Sequence, residues 1–375
     1  MITAQFELTI QRMLALIKAA LHGTAPDENL FADVGEACWT EVLELAHRQG
    51  VTVLSLQGAM QLPKVLQPPL TLKLRWIAGV ETVERRYRQR LETAEELAAY
   101  FRGNNIQMLV FKGIALARLY PVPYSREFGD IDVFLCGQAK EGDALLKRIA
   151  GKNLVASKKH TDFSYRGILI ENHHTFLNTE HQRNRVLEKR LMTILDKAGI
   201  TDKTDFTVTG LQNGTLLFPP PDFDALFVML HLLGHWSSKI VLRFLCDLTV
   251  LFTAYKGKID FSLYHDALSE AGLLKLADAF ISLSVKYLGL NPEYAPPYQS
   301  DISLEERIWN DLMNPEVSPL PMEKHTLFNV VVHKIRLLRS RYWKSELVFP
   351  GYFGKKILSS ILFHLRHPGT IGKQN

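Results

Sequence analysis

The sequence predicts an α/β (α+β) fold in which a small mixed β-sheet lies between helical regions. The 375-residue chain is 47% hydrophobic, which is enough for sizeable buried cores. Residues 6–21, 39–48 and 74–101 space their apolar side chains as amphipathic helices do, whereas residues 104–180 alternate strand and helix patterns. After the triple proline at 219–221 the pattern is helical again.

The long helix predicted at 74–101 is expected to lie on the surface. Arginines and glutamates alternate along it: Arg85, Arg86, Arg88, Arg90, Glu81, Glu84, Glu92, Glu95 and Glu96. Ion pairs on solvated helix faces explain this mixture better than nucleic-acid binding does.

The sheet is expected in the middle of the chain. Strands are predicted at 106–111, 130–135, 163–165 and 168–173, and helices at 114–119 and 139–150. In the last region Asp222 is a candidate helix cap directly after the prolines, and an apolar helix follows it at 223–236.

We divide the chain into four segments. Residues 1–102 form an N-terminal helical region, 103–218 the sheet-containing core, 219–323 a helical domain, and 324–375 a basic amphipathic C-terminal segment. The last segment has ten Lys or Arg residues and one acid, a net charge of +9, which leaves 34 basic and 38 acidic residues, or −4, elsewhere. An anionic lipid surface or an anionic partner is therefore one hypothesis for 324–375. An ordinary basic face packed on the helical domain is the other.

The cysteines and the hydrophobic pattern also indicate in which cellular compartment the protein is expected. The cysteines Cys38, Cys136 and Cys246 are scattered, so neither a disulfide framework nor a zinc ribbon is expected. No apolar run is long enough for a membrane span, and the first residues lack the pattern of a secretory signal. We expect a cytoplasmic protein, with peripheral contact at the inner membrane surface as the further possibility that 324–375 raises.

Two carboxylates mark the most informative stretch of the chain. An apolar run at 109–111 ends in Lys112 and Gly113, and a second apolar strand opens with Asp130 and Asp132. Side chains two residues apart in a strand point to the same face, so these carboxylates should lie together. A divalent cation is the usual compensation for such a pair, often Mg²⁺ carrying a substrate's phosphates. Asp-x-Asp also occurs by chance in many chains, but here it follows a loop at a strand end, where chemistry is usually placed.

Residues 111–132 resemble the uncharacterised nucleotidyltransferase family of the polymerase-beta-like superfamily. They show that family's order of features, which is a Lys-Gly turn, Tyr-Pro, an arginine and Asp-x-Asp. Residues 39–46 with Gly50 and Val51 resemble its N-terminal helix, and 231–247 its helical half. The resemblance covers roughly residues 35 to 255.

The resemblance implies a nucleotidyltransferase core and a Mg²⁺-dependent reaction, with Mn²⁺ as an alternative ion. An NTP would be the donor, and an unidentified hydroxyl or phosphate compound the acceptor. Asp130 and Asp132 would bind the metal, and Lys112, Gly113 and Arg126 the nucleotide. Many relatives have Gly-Ser or Gly-Gly at the turn, whereas this chain offers no serine hydroxyl there.

A third acid is expected from a later strand. By the resemblance it is Glu171, which ends the apolar run 168–170 and would act as metal ligand, as general base, or as both. His173 shares a face with Glu171 under strand periodicity, so it could orient that acid, meet a phosphate, or simply bond to solvent or backbone.

Two histidines and an arginine are further candidates near the acceptor. His231 and His235 are four residues apart and therefore lie on one helix face. They lack the following glutamate of the zincin motif, and no third zinc ligand is evident, so packed histidines lining the core are favoured over a zinc hydrolase. Arg243 could enter the acceptor pocket or form an ion pair with Asp247, four residues later.

The favoured hypothesis is that the protein is an enzyme that transfers a nucleoside monophosphate group. The alternative is a non-catalytic scaffold or adaptor that keeps this fold and binds a partner or an anionic surface. A degenerate member would be expected to have lost a carboxylate, whereas Asp130, Asp132 and Glu171 are all present. A nucleic-acid partner is not favoured, since the C-terminal aromatic residues match no recognised module.

Overall fold

The fold is described from a computed structural model. It describes residues 4–150, 154–201, 212–213, 216–236, 240–313, 327–349 and 351. The part of the basic C-terminal segment beyond 351 lies outside the described residues, as do 314–326.

Helices dominate the part of the chain that the structure describes. They are α1 (Ala4–His22), α2 (Glu36–Arg48), α3 (Thr52–Gln61), α4 (Leu70–Arg102), α5 (Gly113–Ala117), α6 (Ala139–Ala150), α7 (Gln182–Lys197), α8 (Pro221–His235), α9 (Arg243–Ala254), α10 (Phe261–Glu270), α11 (Leu274–Leu288), α12 (Ile302–Met313) and α13 (Leu327–Val348). The strands are β1 (Leu109–Phe111), β2 (Ile131–Phe134), β3 (Val155–Ala156), β4 (His160–Tyr165), β5 (Ile168–His173), β6 (Gln212–Asn213) and β7 (Leu216–Leu217).

The strands form one mixed sheet in the order β3-β4-β5-β2-β1-β7-β6. At its centre β2 is parallel to β5 and antiparallel to β1. Strands β4 and β5 form a hairpin whose two turn residues, Arg166 and Gly167, both have positive φ angles. Such a two-residue turn fixes the register of the two strands. The α/β class and the small mixed sheet predicted from sequence are confirmed.

The two faces of the sheet lie in different cores. One face packs Val110, Val133 and Ile170 with the end of α4 and with α6. The opposite face places Phe111 and Phe134 in the larger core, which also contains apolar side chains of α8 and α9. Side chains that alternate along β2 and β5 therefore point either into the smaller core or toward the helical half of the protein.

The larger core also contains the N-terminal helices. Nine residues of α1 are buried, and α1 crosses α3 so closely that a Cβ atom at Gly58 would overlap the carbonyl oxygen of Leu16. The side chain of Gln49, just after α2, donates to the carbonyl of Leu312 in α12 at 3.0 Å. The N-terminal and later helical segments thus share one core, and the four-segment division remains a prediction.

Most predicted elements are confirmed, with shifted ends. The long charged helix extends from Leu70 to Arg102, and its arginines lie on exposed or half-buried positions. The strand predicted at 106–111 is limited to β1, and the segment predicted at 163–165 begins three residues earlier as β4. Within the described residues, no helix is long and apolar enough to cross a membrane.

Candidate active site

The site is built around Asp132, whose side chain is almost completely buried on β2. Lys112, directly after β1, forms an ion pair with its Oδ1 atom. The Nε2 atom of His173 lies 2.9 Å from the same oxygen. A buried carboxylate costs free energy unless it is paired, and these two nitrogen groups provide the pairing.

Glu171 lies beside Asp132 because of the sheet register. The parallel pairing of β2 and β5 places the two residues directly opposite each other. His173 joins them, since its Nε2 atom also lies 3.1 Å from Oε2 of Glu171, while its Nδ1 atom lies 3.2 Å from the carbonyl oxygen of Thr175. His173 is fully buried, so the structure favours an orienting role for this ring over direct contact with a phosphate.

Asp130 immediately precedes β2 and is half-buried. Burial raises its pKa, and repulsion from Asp132 and Glu171 raises it further. The Asp130 carboxyl is therefore repelled by the other two acids, and fewer positive or hydrogen-bonding groups offset its negative charge than offset theirs. A cation placed between them would lower its pKa again.

The pKa values of the other two acids shift in the opposite direction. Burial acts to raise the pKa of Asp132, but the Lys112 ammonium and the hydrogen bond from His173 outweigh it, and the pKa falls well below its usual range. The hydrogen bond from His173 lowers the pKa of Glu171. Both groups are thus ionised at neutral pH and available as metal ligands.

A second pair of polar residues was missed in the sequence. His160 and Asp162 lie on β4 opposite His173 and Glu171, respectively. The Nδ1 atom of His160 lies 2.5 Å from Oδ1 of Asp162, and its Nε2 atom lies 4.0 Å from Oε2 of Glu171. The signal was available, because an Arg-Gly turn between the strands at 163–165 and 168–173 fixes this register.

The Lys-Gly turn has two structural features. Lys112 has φ 56° and ψ −114°, an unusual backbone conformation for a residue with a side chain, and it directs its ammonium group to Asp132. Gly113 opens α5, and a Cβ atom there would lie 2.8 Å from the ring of Phe128. Packing against Phe128 is therefore one reason for glycine at this position.

Arg126 lies in a buried ion pair rather than on an open surface. Its Nε and Nη2 atoms donate to the two carboxylate oxygens of Asp247, at 2.8 and 3.1 Å. Tyr120 also donates to Asp247, at 2.8 Å, and a third guanidinium nitrogen donates to the carbonyl of Gly113, at 3.4 Å. The role of Arg126 as a nucleotide ligand stays a prediction. The structure shows it supporting the Lys112 turn.

An ion pair with Asp247 was one of the two alternatives for Arg243, and Asp247 pairs with Arg126 instead. Arg243 instead donates to the backbone carbonyl of Glu127, in the loop before Asp130. It therefore contacts the site through the loop backbone.

His231 and His235 lie on one face of α8, as predicted, with ring centroids 4.6 Å apart. Burial lowers the pKa of both histidines, and repulsion from the Lys112 ammonium lowers it further. The pKa of His231 is thereby well below its usual range. Neither belongs to a group of three possible metal ligands among the described residues. His231 is half-buried and His235 is exposed, and both line a cleft of the protein. Their roles stay predictions.

The donor set at Asp132 fits a divalent cation. Asp132, Glu171 and His173 each offer a ligand atom, and these atoms all lie within 4.8 Å of one another. Carboxylate oxygens are the preferred protein ligands of Mg²⁺, and a bound cation would compete with the Lys112 ammonium for Asp132. A second group with the same property consists of His160, Asp162 and Glu171.

Comparison with known proteins gives one match. The family model described as "Uncharacterised nucleotidyltransferase" matches residues 35–289, about two thirds of the chain. No curated protein and no solved structure matches the chain. The matched range includes β1, β2 and β5, and so all of the site residues described above.

Proposed function

Because the chain belongs to the uncharacterised nucleotidyltransferase family, we propose that it moves a nucleoside monophosphate group from an NTP to a hydroxyl or phosphate acceptor. Family membership supports nucleotidyl transfer in general. The NTP donor, the dependence on Mg²⁺ and the roles of individual residues are parts of this proposal.

The observation that carries the proposal is the cluster of Asp132, Glu171 and His173 with the Lys112 ammonium beside it. Asp130, Asp132 and Glu171 would hold Mg²⁺, or Mn²⁺ in its place. When bound, such an ion neutralises charge on the phosphates and orients the leaving group.

Lys112 has the position and charge to contact a phosphate oxygen while it remains close to Asp132. Arg126 supports the turn at Gly113 through its buried pair with Asp247. His173 holds Asp132 and Glu171 at a fixed separation, since its Nε2 atom contacts both. Preorganised charges of this kind are usually the largest contribution to catalysis of phosphoryl and nucleotidyl transfer.

In the proposed reaction the acceptor oxygen forms a bond to the α-phosphorus, and the bond from that phosphorus to the bridging oxygen of the β-phosphate breaks. Pyrophosphate leaves with the electron pair of the broken bond. A hydroxyl acceptor gives its proton to the carboxylate of Glu171, which is only half-buried.

Calorimetry with each NTP, with and without Mg²⁺, tests this proposal on the wild type and on Asp130→Asn/Asp132→Asn. We expect binding that requires Mg²⁺ and that the double variant loses. A variant of an exposed carboxylate far from the site, Asp33→Asn, serves as the control and should bind as the wild type does. Well-folded wild type that binds no NTP would overturn the proposal and favour the adaptor alternative.

A further inference from the structure

A cleft of about 450 Å³ lies beside the carboxylate cluster. Its walls come from five parts of the chain: Lys159 before β4, residues 176–187 from the end of β5 into α7, one face of α8, Leu273 between α10 and α11, and the end of α13. Its volume falls within the range of about 300–1,000 Å³ that is typical of small-molecule sites.

The walls of the cleft are held in place by buried contacts. Glu188 of α7 accepts hydrogen bonds from the backbone N–H groups of Phe176 and Leu177, at 2.9 to 3.1 Å. Arg183 donates to the carbonyl of Val348 at 2.5 Å, and its guanidinium lies over the ring of Phe349. These contacts attach α7 to the strand end on one side and to α13 on the other, so the cleft is built into the fold.

Two nitrogen groups in the cleft wall lack partners among the described residues. The Lys159 ammonium makes neither a hydrogen bond nor an ion pair with them, although it is largely withdrawn from solvent, and burial lowers its pKa. The Nε atom of Arg183 is buried and unpaired as well. The one acid in the wall, Glu180, is paired with the exposed Lys158 at 3.2 Å. Because the Arg183 Nε atom is itself buried, the Lys159 ammonium is the unpaired donor that a ligand in the cleft could reach, and the described wall residues carry an excess of positive charge.

The wall also has an apolar part, beside further polar residues, which are Asn178, His181, Asn184, His231, His235 and Ser345. Phe176, Phe227 and Leu230 are buried residues that contribute to it. Phe227 also connects the cleft to the site, because its ring lies 5.3 Å from Phe111, whose ring in turn lies 4.9 Å from His173. A ligand with an apolar body and an anionic group would satisfy both kinds of surface.

The position of the cleft in the sheet indicates which substrate it would take. Asp132 lies on β2, with β1 on one side and β5 and β4 on the other. The Lys112–Gly113 turn, proposed to bind the nucleotide, follows β1. The part of the cleft formed by Lys159, before β4, and by residues 176–184, after β5, lies on the opposite side of Asp132 from β1. Its α8 wall, with His231 and His235, faces the Lys112 ammonium. The Lys159 carbonyl accepts from the N–H of His174 at 2.8 Å, which keeps this residue next to Glu171 and His173.

We propose that this cleft binds the acceptor, and that the acceptor is a hydroxyl compound with an apolar body and an anionic group that pairs with Lys159. The inference rests on the proposed nucleotidyl transfer and adds the chemical class of the second substrate. The reacting hydroxyl would lie toward Glu171, and the apolar body along Phe227 and Leu230.

Phenyl phosphate and benzoate are suitable probes, because they combine an aromatic body with the two common anionic groups. Inorganic phosphate and phenol supply each half alone. Binding is measured by ligand-observed NMR, with Mg²⁺ and an NTP present or absent. Lys159→Met removes the proposed anion contact, and Gly234→Leu fills the cleft mouth, where a Cβ atom would meet nothing within 4 Å.

Matched controls exist for both variants. Lys189→Met removes an exposed lysine of α7 that does not line the cleft. Gly79→Leu places the same side chain on an exposed helical glycine of α4 that also has open space around it. Circular dichroism of each variant establishes that it is folded. If Gly234→Leu does not fold, Lys159→Met alone tests the proposal.

We expect the wild type to bind at least one of the two probes several-fold more tightly than inorganic phosphate or phenol. Lys159→Met should lose about tenfold, as expected for removal of a charge-assisted contact, and Gly234→Leu should lose about as much because its side chain occupies the cleft, whereas the controls should lose nothing. All four variants should retain Mg²⁺-dependent NTP binding, and the probe should bind alongside the NTP.

Three results would overturn the inference: no probe binds the wild type, the two cleft variants bind it as well as the wild type does, or the probe competes with the NTP. Failure of the proposed function is a separate outcome. In that case no NTP binds the wild type, whatever the probes do, and probe binding that depends on Lys159 would leave a ligand site without an acceptor role.

Discussion

Two buried carboxylates, Asp247 and Asp132, show how one type of residue can have two different roles. Asp247 receives three hydrogen bonds at 2.8 to 3.1 Å, two from Arg126 and one from Tyr120, so both of its oxygens are occupied by well-placed donors. Asp132 has Lys112 and His173, but it shares His173 with Glu171 and has Asp130 close by.

The difference lies in how completely the negative charge is compensated. Around Asp247 one cation serves one acid in a closed arrangement, which is suited to holding α9 against the loop that contains Arg126. Around Asp132 three acids face one lysine and one imidazole, and burial together with this imbalance raises the pKa of Asp130. An excess of buried or half-buried carboxylates is the usual signature of a cation site.

The largest effect on folding is expected for Asp247→Asn. It leaves the buried Arg126 guanidinium without its counter-charge, and removal of one partner of a buried pair typically lowers the free energy of unfolding by about 3–5 kcal/mol. Urea denaturation measures the change. Asp33→Asn, on the exposed surface, is the control. An Asp247→Asn protein as stable as the wild type would show that the pair has no structural role.

Asp132→Asn should differ in its effect on NTP binding. We expect Mg²⁺-dependent NTP binding to weaken by at least about 100-fold, roughly 2.7 kcal/mol, and the free energy of unfolding to fall as well, because the lowered pKa of Asp132 means that its charge stabilises the folded protein through Lys112 and His173. Calorimetry and a thermal melt on the same sample measure both quantities. A large loss of stability with intact NTP binding would reverse the roles assigned to Asp132 and Asp247.

A third buried carboxyl, Asp224 on α8, has few groups around it that would stabilise a negative charge. Burial raises its pKa to about 7, against an ordinary 3.8, although Tyr255 donates to it at 3.0 Å. The folded protein therefore holds a proton that the unfolded chain releases above pH 4, and the free energy of unfolding falls as pH rises from about 4 to 7.

Asp224→Asn should remove this dependence, since the amide cannot titrate but can still accept the Tyr255 hydrogen bond. The slope removed is at most about 1.4 kcal/mol per pH unit. Urea denaturation from pH 4 to 8 measures it. An unchanged slope would mean that Asp224 is ionised across this range.

The smallest effect is expected for Lys112→Met. Loss of one charge-assisted phosphate contact should weaken NTP binding by about tenfold. Binding of Mn²⁺ alone, followed by electron paramagnetic resonance, should not weaken, because the ammonium no longer competes for Asp132. Equal losses for the nucleotide and the metal would instead assign Lys112 to holding Asp132 in place.

Much of the fold could be predicted because its elements have strong local signals. The apolar periodicity of α1 and α4 and the prolines before α8 are visible in the sequence. The shared core was not predictable, since the crossing of α1 and α3 depends on one glycine, Gly58, whose role is evident only once Leu16 is beside it.

The site was predictable where residues are close in the chain and less so across strands. Asp130 and Asp132 follow from strand periodicity, and Glu171 came from the family resemblance. To place His160 and Asp162 at the site, one needs the register of the β4–β5 hairpin, which the pattern of each strand taken separately does not give. The partner of Asp247 is Arg126, 121 residues away, and an i,i+4 rule could not have found it.

The position of α1 has a practical consequence for recombinant production. The family match begins at residue 35, so a fragment trimmed to 35–289 would lose all of α1, α12 and α13. The faces of α3 and α11 that α1 covers would then be exposed to water, and such newly bared apolar surfaces promote aggregation. If such a fragment were insoluble, the missing helices would be the cause, and the result would not show that the full chain fails to fold.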